Sequence, residues 1–186
     1  MHGLQAERRT PLINRNSFWK VRRIIIWVSF ISCSLDLISK QFVLQYLGSE
    51  PISLLGRLLQ LHLTYNAGAA FSFAPSATLF FSSFSLAIAV LTVYLVRRLQ
   101  SQPWAYVAGL VLGGISGNLL DRIFRPPGFF RGEVVDWIAV PHWPTFNLAD
   151  SSIFIAALLA CILTIRNINP MPPTIMQTKE DEKDHG

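Results

Sequence analysis

The carboxylates of Asp136 and Asp150 are the groups in this chain best suited to chemistry. Asp136 lies in Val134-Val135-Asp136-Trp137, and an acid after two valines and before a tryptophan is out of place in a merely structural apolar segment. Asp150 ends the string Phe146-Asn147-Leu148-Ala149-Asp150, at the start of a long apolar run. Two readings of Asp150 stand side by side. It can serve a helix N-terminus, where Asn147 caps and an acid in the first turn meets the positive end of the dipole. It can also form a dyad with Asp136. Two aspartates held about 3 Å apart cannot both ionise, so one keeps its proton while the other acts as a general base on a water between them. The charged carboxyl activates the water, the neutral one polarises a scissile carbonyl, and the protons belong to the pair. A serine mechanism fits less well, because only His62 and His142 lie in the polar segments that hold the acids and no serine sits in an elbow motif. The His and Cys spacing of a zinc site is missing, and nothing in the chain calls for a metal or cofactor.

Other ionisable residues stand inside apolar runs, where a charge costs roughly 2.5 to 3.5 kcal/mol on insertion scales. Asp36 and Lys40 are four apart on one helix face, spaced to pair with each other or with a neighbouring helix. An internal ion pair that holds helices together is their simplest role; direct chemistry is the other. Asn118 and Asp121 share a face three apart, beside Arg122, and can orient a catalytic group nearby. Asp121 can equally be spent on an ion pair with Arg122 or Arg125. Gly113, Gly114 and Gly117 in the same run suit close helix packing.

These residues need elements to hold them, and the composition says which. With 186 residues, 51% of them hydrophobic, and a mean hydropathy of +0.39, the chain is too apolar for an ordinary soluble domain. Crossing a hydrocarbon core about 30 Å thick takes about 20 apolar residues, and four such runs are present: 24–47, 78–96, 104–124 and 148–165. The reading is therefore an all-α membrane protein with four transmembrane helices, in which a basic segment 1–23 precedes a membrane domain 24–166 and a disordered tail 167–186 follows. The net charge of +5 is not arranged as a nucleic-acid stripe. Basic residues crowd before the first run (Arg8, Arg9, Arg15, Lys20, Arg22, Arg23), after the second (Arg97, Arg98) and after the fourth (Arg166). Positive charges flanking spans stay cytoplasmic, which puts both termini inside and brings Asp136 and Asp150 to the same depth on the outer side. Arg122, Arg125 and Arg131 run against this bias, with Asp121, Glu133 and Asp136 close enough to pair with them. The period-2 pattern of 59–65 predicts a half-buried strand at the membrane surface. The stretch 125–146, rich in proline and aromatics, is expected to be an irregular interfacial loop with Trp137 and Trp143 at headgroup depth. Cys33 and Cys161 sit in apolar runs and are read as lipid-facing or core residues.

Four strings, in order along the chain, carry a resemblance: Asn66-Ala67-Gly68-Ala69-Ala70-Phe71-Ser72, Gly117-Asn118-Leu119-Leu120-Asp121-Arg122, Val134-Val135-Asp136, and Phe146-Asn147-Leu148-Ala149-Asp150. Together with Asp36 and Lys40 they resemble the bacterial lipoprotein signal peptidase (signal peptidase II) family over about residues 24–165. The resemblance implies an aspartyl endopeptidase of the bacterial inner membrane, with four helices and a small extracytoplasmic β-cradle. It implies cleavage of diacylglyceryl-modified prolipoproteins before the lipidated cysteine, and inhibition by globomycin-like cyclic peptides. Asp136 and Asp150 become the catalytic pair; Asp36, Lys40, Asn66, Gly68, Asn118, Asp121, Arg122 and Asn147 become residues that shape or support the site. Two features depart from the family pattern: Trp137 stands where a smaller residue is expected, and the stretch 123–133 is longer than usual. A different class of function remains as an alternative, a small proton-coupled transporter with Asp36, Lys40 and Asp121 as its relay, and a third is a non-enzymatic membrane scaffold.

Overall fold

The computed structural model describes residues 15–48, 50–56, 58–67 and 75–171. Within them are four helices, α1 (Arg15–Tyr46), α2 (Pro75–Val96), α3 (Gln102–Phe124) and α4 (Leu148–Ile165), and three strands, β1 (Ile52–Ser53), β2 (Gln60–Asn66) and β3 (Val134–Ala139). Three helical segments are long and apolar enough to cross a membrane: Thr78–Val96, Gln102–Phe124 and Leu148–Ile165. The remaining predicted span, 24–47, falls within α1 except for Leu47, and the 32 residues of this helix extend about 48 Å at 1.5 Å per residue.

Helix α3 is the hub. Its small residues let two neighbours approach closely, and α1 packs against it most extensively. A Cβ added at Gly109 would stand 2.7 Å from Val28 Cβ, one at Gly113 would stand 2.6 Å from Ser32 Cβ, and one at Gly117 would stand 2.5 Å from an Asp36 carboxylate oxygen. The four-residue spacing on both helices makes this a seam between parallel neighbours. Gly114 serves α4 in the same way, since a Cβ there would meet the Ala149 carbonyl oxygen at 2.5 Å. The buried residues of α1 are Val21, Ile25, Ser32, Asp36, Lys40 and Val43, a stripe at helical spacing. Its other faces expose large apolar side chains such as Trp27, Phe30, Ile38 and Phe42, as a helix in contact with lipid would. At the end of the bundle away from the sheet, Val21, Ile25, Leu99, Ala105 and Ala108 form a small core. There the chain beyond α4 is tied back, because Trp104 Nε1 donates to Ile168 O at 2.6 Å and Gln100 N donates to Pro170 O at 3.2 Å.

The sheet sits at the opposite end in the order β1-β2-β3, with antiparallel pairing throughout. Thr64 lies opposite Asp136 and Asn66 opposite Val134, with a register shift between Leu61 and Thr64. Strand β2 matches the predicted strand within a residue at each end. β3 is a correction, since it forms inside the stretch expected to be irregular. Proline and glycine flank this segment but do not enter Val134–Ala139, where two valines and an isoleucine favour extended backbone. The exposed edge of β2 then supplies hydrogen bonds that a lone segment could not find. A second difference is that α1 begins at Arg15, nine residues before the apolar run, because the basic residues preceding that run are good helix formers.

Candidate active site

The sheet and the adjoining helix ends bring together side chains from α1, α3, β2, β3 and α4. β3 delivers Asp136, which is only 2% exposed. Its carboxylate accepts from Asn66 Nδ2 at 3.0 Å, from β2, and from Asn147 Nδ2 at 2.6 Å, from the start of α4. Asn147 also caps α4: its Oδ1 accepts from Asp150 N at 2.9 Å, while Asp150 Oδ2 accepts from Asn147 N at 3.3 Å. The capping reading of Asp150 therefore holds, and it leaves the second carboxylate oxygen to face Asn118. Asn118 Nδ2 donates to Asp150 Oδ1 at 2.8 Å, and Asn118 Oδ1 accepts from Asn147 Nδ2 at 3.1 Å. A chain of two asparagine amides thus links the carboxyl groups of Asp136 and Asp150. Burial is the main cause that pushes the Asp136 carboxyl up to about 6; the charge of Asp150 adds to the rise, and the hydrogen bonds from Asn66 and Asn147 oppose it.

Beneath the pair lies a buried ion cluster. Lys40 Nζ stands 2.6 Å from Asp36 Oδ2 and 2.9 Å from Asp121 Oδ2, and it donates to Asn118 Oδ1 at 3.1 Å. Asp36 Oδ1 accepts from Ala149 N at 2.9 Å, which ties α1 to the first turn of α4. Asp121 Oδ2 also accepts from Val135 N at 3.3 Å, and its Oδ1 pairs with Arg125 Nε at 2.5 Å. The partner of Asp121 is thus Arg125, together with Lys40, and not Arg122. Arg122 is 8% exposed, and its Nη1 has no hydrogen-bond partner among the described residues. Lys40 engages three groups on two helices, so the cluster is built as a brace; a proton relay would need a site free to exchange. Gly68 lies outside the described residues. Among those residues, no group of three or more His, Cys, Asp and Glu is placed to hold a metal ion.

Most of these side chains were singled out in the sequence by type and spacing. One structural role was missed: Gly109 belongs to the same seam as Gly113 and Gly117, and its signal was the four-residue repeat of glycine along α3. As a chemical arrangement, the site holds two acids of unequal environment, linked by neutral amides and propped from below by a compensated charge cluster.

Three comparisons bear on this geometry. The family model described as signal peptidase (SPase) II matches residues 28–166. A lipoprotein signal peptidase of Streptomyces coelicolor is 45% identical over 148 residues, which cover 79% of this chain and 72% of that protein. A lipoprotein signal peptidase of Mycobacterium tuberculosis is 40% identical over 144 residues, covering 77% and 71%. In fold, the chain is similar to a bacterial membrane enzyme solved by the in meso method at 2.3 Å resolution, with a TM-score of 0.66 at 22% identity over 81% of this chain and 94% of that one.

Proposed function

Because the chain belongs to the signal peptidase II family, a family of lipoprotein-processing membrane peptidases, we propose that it removes signal peptides from diacylglyceryl-modified prolipoproteins, cutting before the lipidated cysteine, with Asp136 and Asp150 as the catalytic pair. The observation that carries the assignment is the asparagine bridge that joins these two acids at one end of a bundle of apolar helices. In this reading α1 is the fourth transmembrane helix, both termini face the cytoplasm, and the sheet is an extracytoplasmic cradle at the outer surface of the bacterial inner membrane. A substrate whose lipid remains in the bilayer then brings its scissile bond to the depth of the pair.

The mechanism follows from the unequal environments. With its carboxyl near about 6, Asp136 is the member that more readily holds the shared proton, and it polarises the scissile carbonyl. Asp150, which accepts from Asn118 and from the Asn147 backbone, takes a proton from water as the water attacks. Collapse of the tetrahedral intermediate returns that proton to the leaving amine. Asn66, Asn118 and Asn147 orient the two carboxyls. Asp36, Lys40 and Asp121 hold the helices that carry them, Arg122 lends a positive charge near the acids, and Gly68 has a supporting role through the family motif alone. Globomycin-like cyclic peptides compete for the same cleft.

The test is cleavage of a lipidated precursor by Asp136→Asn and Asp150→Asn variants that still fold. Each should lose roughly 10³-fold or more in kcat, near the upper part of the range for removing a general acid or base. Near-normal turnover in either variant would overturn the assignment. The transporter alternative is set aside, since Lys40 is fully engaged and the family is one of peptidases.

A further inference from the structure

The segment between α3 and β3 is a built structure with an apolar edge. It closes over the last turn of α3, where the final carbonyls of a helix lack partners of their own. Arg125 N donates to Asp121 O at 2.9 Å, Gly132 N to Arg122 O at 2.9 Å, and Phe129 N to Ile123 O at 3.1 Å. Gly132 fits against α3 only because it has no side chain: a Cβ there would meet the Asp121 and Arg125 carbonyl oxygens at 2.5 and 2.6 Å. The loop is also fastened to α2, through Ser82 Oγ donating to Phe130 O at 2.7 Å. Within it, Phe129 and Phe130 have φ of +44° and +66°, a left-handed backbone that bulky residues rarely adopt.

This anchoring turns apolar groups outward. Phe129 is 83% exposed and Phe124, at the end of α3, is 77% exposed. A soluble protein gains nothing from presenting two phenyl rings this way. Phe124 closes α3, and the Ser82 link ties the loop to α2, whose outward face carries Phe80 and Phe84 stacked with ring centroids 6.3 Å apart; both helices are apolar enough to span a membrane. Arg131, exposed on the same loop, supplies a positive charge beside the apolar edge.

From this we propose that Phe124 and Phe129 form a wedge that enters the acyl region of the bilayer leaflet beside the candidate active site, with Arg131 at the level of the lipid phosphates. The occupant of this surface is bulk phospholipid. The inference rests on the membrane-spanning reading of the bundle and is independent of the catalytic assignment.

The experiment uses the full chain, with Cys33→Ala and Cys161→Ala, reconstituted in phosphatidylethanolamine and phosphatidylglycerol vesicles. A nitroxide is attached in turn at Phe129→Cys, Phe124→Cys and, as a reference on the apolar face of α2, Phe84→Cys. Collision with oxygen, which concentrates in the acyl region, is compared with collision with a water-soluble nickel chelate. The oxygen-to-nickel ratio at 129 and 124 should exceed by several-fold that of the same label on a short peptide in water, and approach the value at 84. A ratio at 129 equal to the aqueous reference, with 84 still lipid-exposed, overturns the wedge alone. An aqueous ratio at 84 overturns the spanning reading and the wedge together.

Discussion

At the scale of the residue, the proposed division of work between the two acids rests on their different surroundings. Asp136 is buried and pushed up to about 6, whereas Asp150 has an oxygen committed to a helix cap. A buried acid with a raised pKa holds its proton below that value and loses it above. The single shared proton therefore leaves the pair as pH rises through about 6, and the alkaline limb of kcat/KM should fall in that region, set by the pair as a whole. Asn66 donates to the charged form of Asp136 and opposes the rise. In Asn66→Ala the limb should therefore move to higher pH, by a fraction of a unit to about one unit. A pH profile measured with a lipidated precursor checks the sign, and a downward shift would contradict the proposed role of Asn66. The same raised value works against stability as Asp136 is forced to ionise: its cost is absent below the unfolded pKa and grows as pH rises to about 6.

At the scale of the element, the site depends on how closely α1 lies against α3. The glycine seam places Asp36 and Lys40 within reach of Ala149, Asn118 and Asp121. In Gly113→Leu the new side chain would occupy the space of Ser32 and drive the helices apart. Overpacking of this kind costs about 1 to 3 kcal/mol, and thermal unfolding in micelles should show it together with a loss of cleavage. Lys40→Met leaves the carboxylate of Asp36 buried without its cation and removes one of the two cations of Asp121, which keeps Arg125. Breaking a buried pair from one side costs about 3 to 5 kcal/mol. The paired change Lys40→Met with Asp36→Asn should recover part of that stability, and chemical unfolding of the two variants measures the difference.

Across the whole molecule, charge is distributed by end. The described segments around the start of α1, the α2–α3 turn and the end of α4 carry Lys20, Arg22, Arg23, Arg97, Arg98 and Arg166 without an acid among them. Every described acid other than Asp36 belongs to the sheet end or to the helix ends that meet it. With the positive charges kept inside, a cysteine at Arg98 in intact cells should resist a membrane-impermeant maleimide and one at His142 should react. The reverse pattern would invert the proposed topology.

The sequence by itself determined the helices, the capping of α4 and the list of polar residues that matter. Those features are local: an apolar run near 20 residues, an Asn placed three before an Asp, and charges too costly to leave unpartnered in lipid all read directly from residue type and spacing. The tertiary structure decided who partners whom. Asp121 turns to Lys40 and Arg125, and Asp150 completes the cap while facing Asn118, because contacts between α1, α3 and α4 bring together groups up to 120 residues apart. β3 was equally unreadable beforehand, since a short strand flanked by proline and glycine becomes stable only when β2 offers its edge. Local patterns fix what each segment can be, and pairing energies between distant segments select one arrangement among those possibilities.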